Sequence, residues 1–479
     1  MLLNRFKFYY MIRTLLCFLA VCLFFLVSCM DQFNDQEKFT KLEFSEDTVF
    51  FDTVFTGIGS VTKQLKIYNT SSEDILLTDI RVAKGSKSNY RVNVNGIPGN
   101  SVKNIKIRAL DSMYVFVEVT VNPATGDILE LDSLVFEHKN GTQDVDLVAF
   151  GRDVHFFRRE VISTQTWSSD KPYLIYDYLI VDSLQILTIE AGVEVYINRG
   201  GYFVVLGSVQ SNGTLENPVV FQGDRLEVDY KDIPGQWGGV WLSSGSFANT
   251  FTYTHIKNGT IGLEIDTMVS LTEPTAVLHN CKIENHSIAG ISAEGTWLKV
   301  SNTLIANCGV YNVALLYGGT YAFYHCTLAN NWFWSYRETP ALVMNNYYTY
   351  KGVDYYNGKL NASFYNTIVY GDKANEIIAD PYPVDNGMEL LFSNCLIKIS
   401  DQNYLYSTPI FTGSVLNKDP KFVSFDKYDY GLDTLSNAKD MAGKDIINLF
   451  PDLQTDYQGN SRVTDKAPDI GFLERIEEK

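Results

Sequence analysis

The sequence predicts an all-β chain in two parts, a sandwich of alternating strands followed by the coils of a parallel β-helix. A recurring motif carries the second half of that expectation. It appears as Thr254-His255-Ile256-Lys257-Asn258, Cys281-Lys282-Ile283-Glu284-Asn285, Thr303-Leu304-Ile305-Ala306-Asn307 and Cys326-Thr327-Leu328-Ala329-Asn330, at steps of 27, 22 and 23 residues. Short strands returning at about 22 residues, with no helical spacing between them, describe a solenoid of strands. Strict alternation carries the first half: Met113, Val115, Val117, Val119 and Val121 interleave with Tyr114, Phe116, Glu118 and Thr120.

From its start, the chain carries Arg5, Lys7 and Arg13 and then the apolar run Leu15 to Val27. A basic region before a short apolar one reads as an export signal over residues 1–28, too short for a comfortable membrane span. The tetrad Leu26-Val27-Ser28-Cys29 resembles a lipobox. That resemblance implies cleavage before Cys29, lipidation of its thiol, and a bacterial cell-envelope protein anchored to the outer membrane, with the face left open. Met1 and Met11 both remain as starts.

Loss of residues 1–28 moves the formal charge from −17 to −20. Such acidity argues against nucleic acid as a partner and suits a body held at a membrane by acyl chains. Cys281 and Cys326 share one column of the repeat with Thr303 between them, about 9 to 10 Å apart, which is too far for a disulfide. Cys281, Cys308, Cys326 and Cys395 are therefore expected as buried free thiols.

Residues 29–37 are polar and acidic, a tether. The sandwich is expected over residues 38–155, with turns at Gly57-Ile58-Gly59, Gly96-Ile97-Pro98-Gly99 and Asn140-Gly141 and a last alternating strand through Val145, Leu147 and Ala149. About seven short strands in this length suit an immunoglobulin-like sandwich. The segments Asp52-Thr53-Val54-Phe55-Thr56-Gly57, Leu65-Lys66-Ile67-Tyr68-Asn69-Thr70 and Phe150-Gly151 resemble bacterial domains related to the major-sperm-protein group. The resemblance implies a spacer or binding module.

The helix is expected over residues 156–415. Couplets such as Leu187 to Val195 and Phe203 to Val209, and the stretch Gly235-Gln236-Trp237-Gly238-Gly239-Val240-Trp241, join the motif above in resembling bacterial right-handed parallel β-helix repeat proteins. In that likeness the Trp237 ring caps the stack and the glycines admit close backbone approach. Residues 416–479 resemble the closing block of such proteins, with Asp456-Tyr457-Gln458-Gly459-Asn460 and Pro468-Asp469-Ile470-Gly471-Phe472, and are expected as last coils and cap.

Three groups of residues invite a functional reading. Asp224, Glu227, Asp229 and Asp232 crowd one loop and offer oxygen ligands for calcium, although Arg225 and Lys231 dilute them. No other cofactor is expected. Trp332, Trp334, Tyr336, Tyr347, Tyr348 and Tyr350 crowd a segment that interrupts the repeat, interleaved with Asn331, Arg337, Asn345 and Asn346. Such a segment either stacks sugar rings or packs its own aromatics over the coil. If extended, it would place residues 332, 334 and 336 on one face.

Asp-Ser/Thr-apolar triplets mark Thr48, Thr53, Ser112, Ser133, Ser183, Thr267 and Thr434, seven where composition gives about two. They resemble an O-glycosylation acceptor, and they also suit Asp ending a turn before a strand. The outward positions of the repeat motif, His255, Lys282 and Leu304, form no acidic cleft, so no catalytic residue is assigned. The expectation is a non-catalytic glycan-binding or structural envelope protein with a glycan or another envelope protein as partner; a polysaccharide lyase or glycoside hydrolase is the alternative.

Overall fold

The structure, a computed structural model, describes residues 41–122, 128–382, 387–405, 409–464 and 466–476. Cys29 and the signal segment lie outside them. Two compact units form. In the first, an immunoglobulin-like sandwich, two five-stranded sheets carry the alternation the sequence shows. Strand Ser112–Val119 pairs antiparallel with Lys63–Tyr68 and Tyr90–Val94. Val115, Val117 and Val119 are buried with Leu65, Ile67, Val92 and Val94, while Tyr114 is exposed.

In the second unit one sheet of 26 strands runs from His155 to Leu416, each coil pairing in parallel with the next. The coil has three faces, A, B and C. The repeat motif forms face B, for example Thr254–Lys257, Lys282–His286, Leu304–Cys308 and Thr327–Asn330. Face C follows in each coil, as in Ile261–Ile265, and face A after it, as in Ala276–His279.

Alternation then sorts side chains inward or outward. On face A the inward column ends in a ladder of Phe323, Phe364, Phe392 and Phe411, with ring centroids 4.9, 4.8 and 5.3 Å apart. Face B opens with the small column Thr254, Cys281, Thr303, Cys326, Thr367 and Cys395. There the Cys281 and Cys326 amides donate to the Thr303 and Thr367 hydroxyls of the next coil, both at 3.3 Å. All four cysteines of the described chain are buried and unbridged, and burial pushes each thiol up to about 12.

The corner from face A to face B is one residue wide. Asn280, Asn302, His325, Asn366 and Asn394 hold it at φ between 46° and 54°. Asparagine tolerates that left-handed bend, and its amide can bond along the stack. Asn366, for instance, donates to the His325 ring at 2.8 Å. The corner from B to C is also left-handed at Asn258, Asn285 and Asn307, but not at Asn330, where the loop of residues 331–341 leaves the coil.

Two expectations change here. Trp237 does not cap the stack: it lies buried within the core, its indole N–H donating to the Lys257 carbonyl at 2.9 Å. Residues 419–474 do not close the end of the coil but run back along the outside of face B. Tyr430, Tyr457 and Phe472 cover Leu304, Ala306 and Ala329, and Leu432, Ala438, Ala442 and Ile470 cover Ile368 and Leu396. The cause is visible in the strands. Leu304-Ile305-Ala306 and Ile368-Val369 are apolar on both sides, as strands buried on both faces are.

At the centre of this segment, the Arg462 side chain is fully buried. It donates to Glu474 at 2.9 Å, to the Gly471 carbonyl at 3.0 Å and to Asn302 at 3.3 Å. Burial raises the Glu474 carboxyl and Arg462 opposes that rise. Tyr457 reaches His255 at 2.7 Å, and Tyr430 donates to Asn307 at 2.7 Å.

Candidate functional site

The aromatics of residues 332–356 do not form one surface. Strand Leu342–Asn345 of face C divides them, leaving one group at each end of that strand. At the B–C corner the chain bends at Trp334 and Ser335, so residues 332, 334 and 336 do not share a face. Trp332 packs over Gly309, where a Cβ would lie 3.0 Å from its ring, and its N–H donates to Ser335 at 2.8 Å. Phe333 stacks on Trp334 at 5.0 Å and on Tyr428 at 6.0 Å; Tyr336 is 81 % exposed beneath the Lys373 ammonium.

Arg337, read from sequence among the ligand-facing polar groups, is instead a buried anchor. Its guanidinium forks onto Glu376 at 2.8 and 2.6 Å and also bonds Asp372. Glu376 in turn accepts the Ala341 and Lys373 amides, both at 2.8 Å, which pins the loop to the coil.

At the C–A corner stands a hairpin, Tyr347–Tyr350 against Val353–Tyr356. Its alternation separates two faces. Tyr347 turns in, its hydroxyl donating to Asp380 at 2.7 Å, a bond that with burial pushes its pKa up to about 12. Tyr348, Tyr350 and Tyr355 are exposed. Tyr348 stacks on Tyr355 at 5.0 Å and meets the edge of Tyr317 at 5.1 Å.

The hairpin continues into side chains that sequence reading missed. The register of face C pairs Trp241 with Glu264 and Glu264 with Ser292; Asp266 follows Ile265, beside Glu294 on the next coil. Trp241 donates its N–H to Asp266 at 3.0 Å. Burial raises the Glu264 carboxyl, and Asp266 and Glu294 add to the rise; Glu294 is raised by burial and then by Asp266. Burial raises the Tyr317 phenol too, with Glu294 and Tyr348 contributing.

Trp241, three carboxylates, Tyr317 and the tyrosine hairpin thus form one track. It crosses four strand spacings, about 19 Å. Loops of residues 266–275 and 346–359 leave its second and fifth coils, and the two coils between them pass from face C to face A without a loop, in the continuous strands Ala289–Ser301 and Tyr311–Tyr324. The signal was present in the second strand of each coil, where outward Glu264 and Glu294 alternate with buried Leu263, Ile265 and Ala293. Counting outward residues only on the first strand, at His255, Lys282 and Leu304, passed over it.

The four acids proposed for calcium do not converge. Glu227 is taken by Arg225 at 3.0 Å, Asp224 sits in a buried setting that raises it to about 6, and Asp229 and Asp232 are exposed. Among the described residues no group of three His, Cys, Asp or Glu is placed to hold a metal ion. Of the triplets, Ser183, Thr267 and Thr434 are exposed. Thr48, Thr53, Ser112 and Ser133 are half-buried, and Thr48 and Ser112 each open a strand after their Asp.

No family model and no curated protein matches the chain. Among solved structures it is similar to the ASH / PapD-like domain of human CEP192, at 14% identity over 24% of this chain and 87% of that one, with a TM-score of 0.17. A protein of unknown function from Porphyromonas gingivalis W83 matches at 12% identity over 26% and 60%, with a TM-score of 0.19. The E. coli chaperone DraB matches at 12% over 24% and 55%, with a TM-score of 0.18.

Proposed function

We propose that this chain is an exported, lipid-anchored envelope protein that holds glycans on the track of face C. The observation that supports this reading is the joining of exposed stacked tyrosines to a row of carboxylates along successive coils. Aromatic faces take the apolar C–H side of a sugar ring, and carboxylates accept its hydroxyl protons. Four strand spacings match the length of about four sugar units laid along the coil axis.

One observation favours a second reading, a glycan-active hydrolase: Asp266 lies beside Glu294, and hydrolysis of a glycosidic bond uses two carboxyl groups across it. The test is a polysaccharide panel scored for both binding and sugar release. Binding without release, lost in Tyr348→Ala/Tyr355→Ala, supports the binding reading. Release abolished by Glu294→Gln supports the second. Absence of both defeats the glycan reading. Cys29→Ala should remove incorporation of labelled fatty acid and leave the protein in the aqueous phase of a detergent partition; retention in detergent would exclude Cys29 as the anchor.

A further inference from the structure

We propose that the face C track selects glycans free of acidic groups, and that Glu264, Asp266 and Glu294 are the residues that reject uronate-bearing or sulfated chains. This rests on the glycan reading above and adds to it the chemical class of the ligand. The argument is one of charge complementarity. Glu264 and Asp266 alternate outward at the end of one strand, and Glu294 stands beside them on the next coil. Trp241 pairs with Glu264 from the coil before, and Tyr317 with Tyr348 close the track on the coils after.

The charges that act on Glu264 are those of Asp266 and Glu294, and the charge that acts on Glu294 is that of Asp266. All carry one sign, and among the described residues none of the three pairs with a Lys or Arg. A neutral ring on the aromatic floor meets acceptors for its hydroxyls, and an amino sugar adds an attractive charge. An acidic ring in the same place puts another negative charge a few ångströms from carboxylates already partly stripped of water, a repulsion worth about tenfold or more in affinity. A uronate-cleaving lyase would need basic side chains beside the scissile ring; here no Lys or Arg pairs with the three carboxylates among the described residues, and Lys351 lies over Tyr350 at the far end of the track.

The experiment is calorimetric titration of the full chain with tetrasaccharides of equal length: a neutral glucan, a chitosan oligomer and a galacturonan oligomer. The neutral and amine-bearing tetramers should bind, and the galacturonan should bind at least about tenfold more weakly. In Glu264→Gln/Asp266→Asn/Glu294→Gln, confirmed folded by its melting temperature, the galacturonan should approach the neutral tetramer. Equal or tighter binding of galacturonan by the unaltered protein, with or without added calcium, overturns the proposal. So does a preference unchanged in the triple variant. If neither glucan nor chitosan binds, while galacturonan also fails, it is the glycan reading itself that falls.

Discussion

Faces B and C belong to the same coils and share the same core, yet their outer surfaces have opposite fates. On face B the outward residues turn from His255 and Lys282 to Leu304, Thr327, Ile368 and Leu396, and a returning segment covers them. Face C presents Trp241, Glu264, Ser292 and Glu294 in the coils that carry Val220, His255 and Lys282 on face B, and that stretch stays open. The inward columns are buried on both, the Thr and Cys column of face B included. What separates a covered face from an open one in this solenoid is therefore the outward residue of each alternating pair.

The comparison can be broken most strongly at Arg462. Arg462→Ala removes the partner of buried Glu474 and should cost about 3–5 kcal/mol in a denaturant titration, releasing residues 419–474 to proteolysis while leaving glycan binding to the folded coil intact. Loss of binding at equal folding would mean that the two faces are coupled. A smaller perturbation is Leu304→Ala, about 2–5 kcal/mol for a side chain buried under Tyr430, Tyr457 and Phe472. The matching change on the open face, Tyr348→Ala, should cost about 1 kcal/mol, the worth of its ring contacts.

Acid sharpens the contrast. Burial under Tyr457, with Lys282 and Lys257 near, lowers the His255 imidazole from 6.5 to about 4. The folded state thus binds fewer protons than the unfolded one between these values. The contribution is whole above pH 6.5 and is lost as pH falls toward 4, on the order of 3 kcal/mol. Glu264 and Glu294 are raised, so their charge penalises the fold at neutral pH and that penalty is relieved as pH falls. His255→Gln should flatten the acid limb of stability against pH, whereas Glu294→Gln should raise stability at neutral pH and leave the acid limb in place. The smallest effect belongs to the shared core: Cys281, Cys308, Cys326 and Cys395 should resist maleimide at pH 7.5 in the native protein and all react once it is unfolded.

Most of the coil was readable because its period and its alternation are local. The Thr and Cys column, the free thiols and the Asn bends of the B–C corner follow from strand spacing alone. A second Asn column was equally present in Asn280-Cys281, Asn302-Thr303, Asn366-Thr367 and Asn394-Cys395, yet went unread because it precedes the motif rather than ending it. The track on face C needed register. Glu264 and Glu294 stand 30 positions apart, and only the length of the intervening loop decides which coil-mates they become. Arg337 was misread for a related reason, since its partner Glu376 lies one full coil further along the chain, at the same corner.

The returning segment also sets the order in which the molecule becomes watertight. Each coil can lay its strand on the one before as the chain is made, so the solenoid grows from its first coil onward. Face B, however, shows Leu304, Ile368 and Leu396 to the surroundings until residues 419–474 arrive to cover them. During folding the chain therefore passes through a stage with a finished face C and a naked apolar flank. That flank is where a chaperone would hold it and where a truncated product would clump.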